Sequence, residues 1–279
     1  MKKIIVLFSV VLAFANNYNE KMLKQIQALK SENSFSFVVM GDNRDGDNVL
    51  EKIIAKNNKS DVKFLINNGD LVPDGYEGQF DNYLKIIKTS NKPIISVIGN
   101  HEIPWYDGES NYERTFGKTN FSFIFGNSYF IILDSSDKKI SKKQFKWLKK
   151  ELKNSKKYQN RFVFTHVPLY DPRKGEYKKG HSLKKSKQAK KLNELLDKYN
   201  ISMIFCSHIH SYFRGIWHKT PYIITGGAGA PLKKQGFYHY IKVIVNGNKV
   251  EYKVIKIKAK KKVFFKKIIK RSKDLIGIE

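Results

Sequence analysis

Six polar residues of this sequence are of types that bind divalent metal ions, and each follows a short apolar segment. Carboxylate, amide and imidazole groups together suit ions such as manganese, iron or zinc. Two such ions about 3.5–4 Å apart can bind a phosphoryl group between them and ionise a water molecule. The residue types therefore indicate a two-metal site for phosphoryl chemistry, with these candidate ligands: Asp42, Asp70, Asn100, His166, His208 and His210.

The elements in the N-terminal part of the chain explain why the first three ligands should meet. Apolar segments at 35–40, 62–66 and 93–98 predict strands, and the stretches near 49–56 and 80–88 predict helices between them. Such alternation is typical of parallel βαβ units, whose ligand crevice lies beyond the carboxyl ends of the strands. The polar clusters fall at those ends, as Gly41-Asp42, Gly69-Asp70 and Gly99-Asn100-His101.

The three histidines are placed in the same way in the second half of the chain. Apolar segments at 162–165 and 201–206 predict strands. The first strand ends at His166, and the second ends at Ser207-His208-Ile209-His210. We therefore expect the histidines to reach the same crevice as the carboxylates.

The remaining predicted elements are two hairpins and two helices. The hairpins, at 121–133 and 241–258, each have two apolar segments around a Gly-Asn or Asn-Gly turn. One helix begins after Ser141, which with Gln144 forms the pattern of a capping box. The other helix is predicted over 183–199.

Each motif also has an ordinary structural explanation when it is taken alone. A Gly-Asp pair after a strand is usually a turn, and His208-x-His210 is commonly a pair on one face of a strand. What favours a site is the order and spacing: Asp42 and Asp70 are 28 residues apart, and Asn100 is 30 residues further on. Chance rarely places so many ligand types at successive strand ends.

Five motifs in this order resemble the calcineurin-like metallophosphoesterase superfamily, in its purple-acid-phosphatase-like, bacterial exported branch. The resemblance covers about residues 35–245. It implies an α/β fold, a four-layer α/β/β/α sandwich in which two central mixed sheets are flanked by helices. It also implies a metal-dependent hydrolase of phosphoric esters, a phosphomonoesterase or a phosphodiesterase. The motifs are Gly41-Asp42-Asn43-Arg44, Gly69-Asp70-Leu71-Val72-Pro73-Asp74, Gly99-Asn100-His101-Glu102, Thr165-His166 and Ser207-His208-Ile209-His210.

The family pattern, carried over residue by residue, implies two divalent ions (Mn, Fe or Zn) that share Asp70 as a bridging ligand. A metal-bridging hydroxide would attack phosphorus. His101 would not bind metal but would protonate the departing alkoxide as the general acid. The first ion would be held by Asp42, Asp70 and His210, and the second by Asp70, Asn100, His166 and His208.

One position departs from the family pattern. The first motif usually reads Asp-x-His, with the histidine on the first metal, whereas this sequence has Arg44 there. A guanidinium group stays protonated and cannot coordinate a metal. Water, Asp45 or Asp47 would then complete the first site, or that site would bind its ion more weakly. Arg44 would either bind a substrate phosphate bidentately or pair with a carboxylate such as Asp45 or Asp74.

The N-terminus has the features of a secretory signal. Lys2 and Lys3 precede an apolar segment at 4–15 that ends in the small-x-small sequence Ala13-Phe14-Ala15. Such a segment is short for a membrane-spanning helix, which needs about 20 residues. We therefore predict cleavage after Ala15 and a periplasmic or cell-surface location, with an uncleaved anchor as the alternative. The predicted organisation is a signal peptide at 1–15, a lead-in segment at 16–34, the metallophosphoesterase domain at 35–258 and a basic amphipathic tail at 259–279.

The net charge of +28 comes mainly from lysine, since only six of the 53 basic residues are arginine. Proteins that read phosphates or bases tend to use arginine for its bidentate fork. No stacking or groove-reading motif accompanies the charge, so no specific nucleic-acid partner is expected. The tail at 259–279 has apolar pairs at helical spacing among lysines. It would lie on an anionic membrane surface or pack on the domain with its lysines in solvent.

Two classes of function remain open from the sequence. The first is hydrolysis of a phosphorylated small molecule or lipid, with the choice of substrate set by loops such as 103–120 and 171–183. The second is a degenerate relative that binds a phospho-ligand or a membrane surface with weak or no turnover. His101 favours the first, since a binding protein does not need a general acid. Three other histidines match no ligand motif and are predicted to be surface or loop groups: His181, His218 and His239.

Overall fold

Strands form where β-branched and aromatic residues cluster, and helices form in the amphipathic stretches between them. The computed structural model describes residues 17–103, 107–175, 177–233 and 236–260. Its strands are β1 (Ser34–Met40), β2 (Leu65–Asn67), β3 (Ile94–Ser96), β4 (Phe121–Phe125), β5 (Ser128–Leu133), β6 (Asn160–Thr165), β7 (Met203–Cys206), β8 (Tyr212–Trp217), β9 (Thr220–Thr225), β10 (His239–Asn246) and β11 (Lys249–Lys256). Its α-helices are α1 (Tyr18–Ala28), α2 (Asp47–Asn58), α3 (Glu77–Ile87), α4 (Gly108–Phe116), α5 (Lys142–Asn154) and α6 (Ser186–Asp197).

The strands form two mixed sheets. The first sheet has the order β11-β10-β1-β2-β3, in which β1, β2 and β3 are parallel and β10 is antiparallel to β1. The second has the order β4-β5-β6-β7-β9-β8, with four parallel central strands and an antiparallel strand at each edge. Parallel strands direct their carboxyl ends to one edge of a sheet, so the motif loops after β1, β2 and β3 lie together, as do those after β6 and β7.

A layer rich in phenylalanine fills the space between the two sheets. Along β1, Phe37 and Val39 point into this layer, whereas Val38 and Met40 point to the outer face, as the two-residue period of a strand requires. The Phe37 ring lies 5.2 Å from the ring of Phe162 in the opposite sheet, centroid to centroid. Burial of each such side chain contributes about 1.5–3 kcal/mol, so this layer holds the sheets together.

Helices cover both outer faces of the sandwich. Leu50 and Ile53 of α2 pack with α3 on the outer face of the first sheet. Leu148 and Leu152 of α5, one helical turn apart, pack with Leu192 of α6 on the second sheet. The predicted four-layer α/β/β/α sandwich is confirmed.

Two local predictions need correction. The last long helix, α6, begins at Ser186 rather than at residue 183, because the N–H of Leu183 donates to Pro168 O instead of entering the helix. The capping box before α5 is only half formed. Ser141 Oγ accepts from Gln144 N, but the Gln144 side chain hydrogen-bonds the backbone of Asp134, where it holds the loop after β5.

The segment predicted as a lead-in contains α1, which packs on the domain. Asn19 is buried there and exchanges two hydrogen bonds with the backbone of Ser96 in β3. The predicted signal peptide at 1–15 and residues 261–279 of the predicted tail lie outside the described residues. Within the described part of the chain, no helix is both long enough and apolar enough to cross a membrane.

Candidate metal centre

The six predicted ligands meet between the two sheets, at the carboxyl ends of β1, β2, β3, β6 and β7. Their donor atoms form two groups, each with all three atoms within 4.8 Å of one another. Asp70 belongs to both groups, and Asn100 Oδ1 lies 3.2 Å from His166 Nε2 beside the second. The first cluster is Asp42, Asp70 and His210, and the second cluster is Asp70, His166 and His208.

Three of these ligands have a left-handed backbone, which side chains other than glycine rarely adopt. The φ angles are +58° at Asp42, +54° at Asp70 and +66° at His208. Such conformations cost about 1–3 kcal/mol each and persist where the surrounding structure fixes them. The fold therefore holds these three side chains in place at a cost in backbone energy, as is common at functional sites.

Buried polar atoms without partners show that the clusters fit cations. Neither carboxylate oxygen of Asp42 has a hydrogen-bond partner among the described residues, and neither does His208 Nε2. Burial, followed by the charge of Asp70, raises the pKa of Asp42 well above its usual value. A buried carboxylate without a partner is strongly unfavourable unless a cation compensates it. A divalent ion in each cluster would supply that charge and use the lone pairs that the protein leaves unpaired.

Backbone carbonyls orient the histidines. His166 Nδ1 lies 2.9 Å from Asn68 O, and His210 Nδ1 lies 2.7 Å from Pro231 O. A carbonyl oxygen only accepts, so each Nδ1 carries the hydrogen and each Nε2 is left to face the cluster. Partners of this kind fix the tautomer and ring orientation of metal ligands. Asn68 also joins the sheets, because its side chain donates to Thr165 O and Phe205 O.

Metal binding at the second cluster should release a proton from His166. Burial lowers the pKa of His166, but Asp70 and Asp42 outweigh burial and raise it to about 9. Near neutral pH the imidazole is therefore protonated, and an ion must displace about one proton to bind. We expect the contribution of His166 to this release to fall towards zero as the pH rises above 9. Calorimetry of metal binding in buffers of different ionisation enthalpy measures the number of protons released. A heat of binding that is the same in every buffer would contradict the prediction.

Glu102 is a buried residue to which the sequence analysis gave no role. Its carboxylate accepts hydrogen bonds from the backbone N–H groups of Asp70, Leu71, Val72 and Gly99, at 2.6–3.1 Å. It therefore joins the loop after β2 to the loop after β3, and these loops carry Asp70 and Asn100. The only sequence signal for this role is the position of Glu102 at the end of the Gly-Asn-His-Glu motif.

Replacing Glu102 with glutamine should lower the stability of the protein. The amide keeps one accepting oxygen, so about two of the four buried N–H groups lose their acceptor at roughly 1–3 kcal/mol each. We expect the free energy of unfolding to fall by about 2–5 kcal/mol in urea denaturation. Glu51→Gln, on the exposed face of α2, is the control and should change it by less than about 0.5 kcal/mol. Equal stability of the two variants would show that Glu102 does not hold the loops.

Arg44 lies beside the first cluster. Its Nη1 donates to Asp45 Oδ2 at 3.0 Å, and its Nε lies 3.7 Å from Asp70 Oδ2. The predicted pairing of Arg44 with Asp45 is therefore present. Neither Asp45 nor Asp47 belongs to a ligand cluster in the described residues. The Arg44 guanidinium therefore brings positive charge beside Asp70, the ligand common to both clusters.

An open cavity of about 100 Å³ lies over the clusters. His101 lines it, with Nδ1 2.6 Å from Pro73 O and Nε2 4.0 Å from Asp70 Oδ2. His181, predicted to be a surface or loop group, is an exposed loop residue that also lines this cavity. Sequence reasoning missed two more lining residues, Arg173 and Lys233, because both lie in loops outside any motif.

The other two unassigned histidines lie away from the cavity. His218 is exposed, as predicted, and its ring stacks on Tyr177. His239 is fully buried, so the prediction of a surface position was wrong. It starts β10 beneath the loop at 226–229, where its Nδ1 contacts Phe237 O and its N–H donates to Gly227 O. Burial lowers the pKa of His239 to about 4, which keeps the ring neutral.

Comparison with known proteins agrees with this geometry. Residues 35–212 match the model of the calcineurin-like phosphoesterase family. The chain is 24% identical over 205 residues to the serine/threonine-protein phosphatase CPPED1 of Bos taurus, covering 66% of this chain and 64% of that protein. It is 27% identical over 180 residues to purple acid phosphatase 13 of Arabidopsis thaliana, covering 55% and 32%. The chain thus spans less than two thirds of the length of these relatives.

A solved structure supports the fold independently of sequence. A dimetal phosphatase from Danio rerio superposes with a TM-score of 0.64 over 81% of this chain and 97% of that chain. The sequence identity is 12%, so this likeness concerns the fold alone.

Proposed function

Because this chain belongs to the calcineurin-like phosphoesterase family, we propose that it hydrolyses phosphoric esters at the two ligand clusters. The observation that carries the proposal is Asp70, which belongs to both clusters and can therefore hold two ions side by side. Divalent ions bound there would act as Lewis acids on the phosphoryl oxygens and lower the pKa of water. The proposed ligands are Asp42, Asp70, Asn100, His166, His208 and His210.

His101 is the proposed general acid. Its Nδ1 faces a backbone carbonyl, so Nε2 is the atom that the cavity presents to the leaving group. This Nε2 lies 4.0 Å from the carboxylate oxygen Asp70 Oδ2. In the reaction, a hydroxide formed from water would join phosphorus as the P–O bond of the ester breaks. The departing alkoxide would take its proton from His101, and solvent would return to His101 the proton that the water released.

The test is a panel of phosphomonoesters and phosphodiesters, assayed for hydrolysis with Mn²⁺, Fe²⁺ or Zn²⁺ in turn. We expect turnover of at least one ester class with at least one metal, and loss of it in Asn100→Ala. An Asn100→Ala variant as active as the parent would overturn the proposal. Metal-dependent phosphate binding without turnover of any ester would favour the binding-only alternative, for which Arg44 in place of a histidine is the supporting observation.

The first cluster is proposed to bind its ion more weakly than the second, because Arg44 occupies the position of a ligand. Arg44→His should restore an imidazole there and raise the affinity for the first ion at least about tenfold. Metal titration against a competing chelator measures this change. Arg44→Met, which removes the charge without adding a ligand, is the control. If Arg44→His and Arg44→Met bind the first ion equally tightly, the positive charge of Arg44, and not the missing ligand, weakens the site. Two tightly held ions in the parent protein would contradict the proposal of a weak first site.

The sequence outside the described residues supports two proposals about where the protein acts. The leader at 1–15 supports export with cleavage after Ala15, which N-terminal sequencing of the exported protein would test; an intact Met1 would contradict it.

The basic tail at 259–279 supports contact with an anionic membrane surface. Flotation with anionic liposomes, with and without residues 260–279, would test the tail, and equal partitioning would remove the membrane proposal.

A further inference from the structure

The loop after β6 brings two side chains to the cavity that no step of the proposed reaction uses. Arg173 and His181, both in this loop, line the same cavity as Asp70, His101 and His208. Lys233, from the loop before β10, lines it too. The His181 ring lies 5.5 Å from the His208 ring, so this group of residues directly adjoins the second cluster.

A buried carboxylate holds the loop in place. Asp171 has no exposed surface, and its Oδ1 accepts from the backbone N–H and the Nε of Arg173, at 3.1 and 2.8 Å. Its Oδ2 accepts from Arg173 Nη2 and from the backbone N–H of His181, at 2.7 and 2.8 Å. One side chain therefore fixes both lining residues, and Gly180 makes this possible because a Cβ there would lie 2.3 Å from Asp171 Oδ2.

The ion pair leaves Arg173 able to bind another anion. Asp171 takes two of the five N–H donors of the guanidinium, through Nε and Nη2. The side chain remains 28% exposed, at the cavity. An arginine that only fixed a loop would not need to line the cavity. Pre-organised by Asp171, its fork is suited to bidentate contact with a phosphate or carboxylate.

Two regions of the cavity can therefore each accept an anionic group. The metal clusters, with His101, would take the phosphoryl group that is hydrolysed. Arg173 and Lys233 lie in loops separate from the ones that carry the carboxylate ligands. Both regions line one open cavity of about 100 Å³, so a short connection between the two anionic groups would suffice.

We propose that Arg173, oriented by Asp171, binds a second anionic group of the substrate, so that the preferred substrates are small phosphomonoesters whose alcohol carries a phosphate or carboxylate. The substrate preference rests on the proposed hydrolysis, but the binding of the second anionic group can be measured without turnover. Arg173 is in this view a specificity-determining residue and takes no part in bond breaking.

The test compares three phosphomonoesters with the same three-carbon chain. The group at the other end of the chain is a free alcohol in propane-1,3-diol monophosphate, a second phosphate in propane-1,3-diol bisphosphate, and a carboxylate in the third compound. Phosphate release is measured with the metal-loaded full chain and with two variants. We expect the parent to prefer the two substrates with a second anionic group, and Arg173→Ala to lower kcat/KM for them by about ten- to a hundredfold. The monophosphate should change little. Preference for only one of the two shows which anion the subsite takes.

Lys174→Ala is the matched control, since Lys174 is a neighbouring exposed cation that does not line the cavity. It should keep the preference of the parent. If Arg173→Ala and Lys174→Ala behave alike, general attraction by a protein of charge +28 explains the preference, and the proposal fails. It also fails if Arg173→Ala slows all three substrates equally, because Arg173 would then contact the scissile phosphoryl group.

A binding measurement separates this inference from the proposed function. Calorimetry of the metal-loaded protein with propane-1,3-bisphosphonate and with propylphosphonate needs no hydrolysis. Tighter binding of the bisphosphonate, lost in Arg173→Ala, supports the subsite even if no ester is turned over. Equal binding of both compounds overturns the subsite even in an active enzyme.

Discussion

Asp70→Asn should remove both metal ions and lower phosphoesterase turnover by about a thousandfold or more. Asp70 is the one ligand common to the two clusters, and an asparagine has a single coordinating oxygen and no negative charge. Metal analysis after dialysis and phosphate-release kinetics would measure the two effects.

Asp42→Asn is the matched control, because Asp42 belongs to the first cluster only. We expect this variant to lose the first ion and to retain the second. Circular dichroism of both variants would establish that they are folded. Two equivalents of metal retained by Asp70→Asn would contradict a shared ligand, and equal metal loss in both variants would show that the clusters do not bind independently.

Replacing His101 with alanine should lower kcat for an alkyl phosphate by about a hundred- to ten-thousandfold, the usual contribution of a general acid. A nitrophenyl phosphate should be affected far less, since its leaving group departs without a proton. The metal content should not change, because His101 belongs to neither cluster. The dependence on the leaving group distinguishes proton donation from simple loss of phosphate binding.

The control for this experiment is His218→Ala. This histidine is exposed and stacks on Tyr177, away from the cavity lining. Its kcat should equal that of the parent with both substrates. A His101 variant that loses the same factor on the alkyl and the nitrophenyl ester would assign His101 to phosphate orientation instead.

The candidate ligands could be predicted from the sequence because parallel strands impose a simple geometry. Asp42 and Asp70 follow parallel strands of the first sheet and His166 follows a strand of the second, and within each sheet the carboxyl ends of parallel strands meet at one edge. Family resemblance then supplied the roles that residue types alone left open. The same reasoning predicted that Arg44 departs from the pattern, since the position is read from the motif itself.

What could not be predicted depends on the paths of the loops. The position of Glu102 in its motif does not by itself indicate that its carboxylate accepts hydrogen bonds from four backbone N–H groups of two loops. Arg173 and His181 are ten or fewer residues from Asp171, but only the folded loop shows that one carboxylate holds both. Strand β8 was not predicted for a different reason. Its sequence does not alternate between apolar and polar residues, which is the pattern that indicates a strand, and most of its side chains are partly or fully exposed.

The division of the ligands between the two sheets has a consequence for how the protein folds. Asp42, Asp70 and Asn100 follow strands of the first sheet, and the three histidines follow strands of the second. Neither sheet alone carries the complete set of ligands, so the set forms only when the phenylalanine layer packs the two sheets together. This packing joins residues that are far apart in the sequence, and such contacts form slowly. An ion that needs ligands from both sheets would bind only after the sheets have docked, and it would then prolong the lifetime of the native molecule by slowing its unfolding.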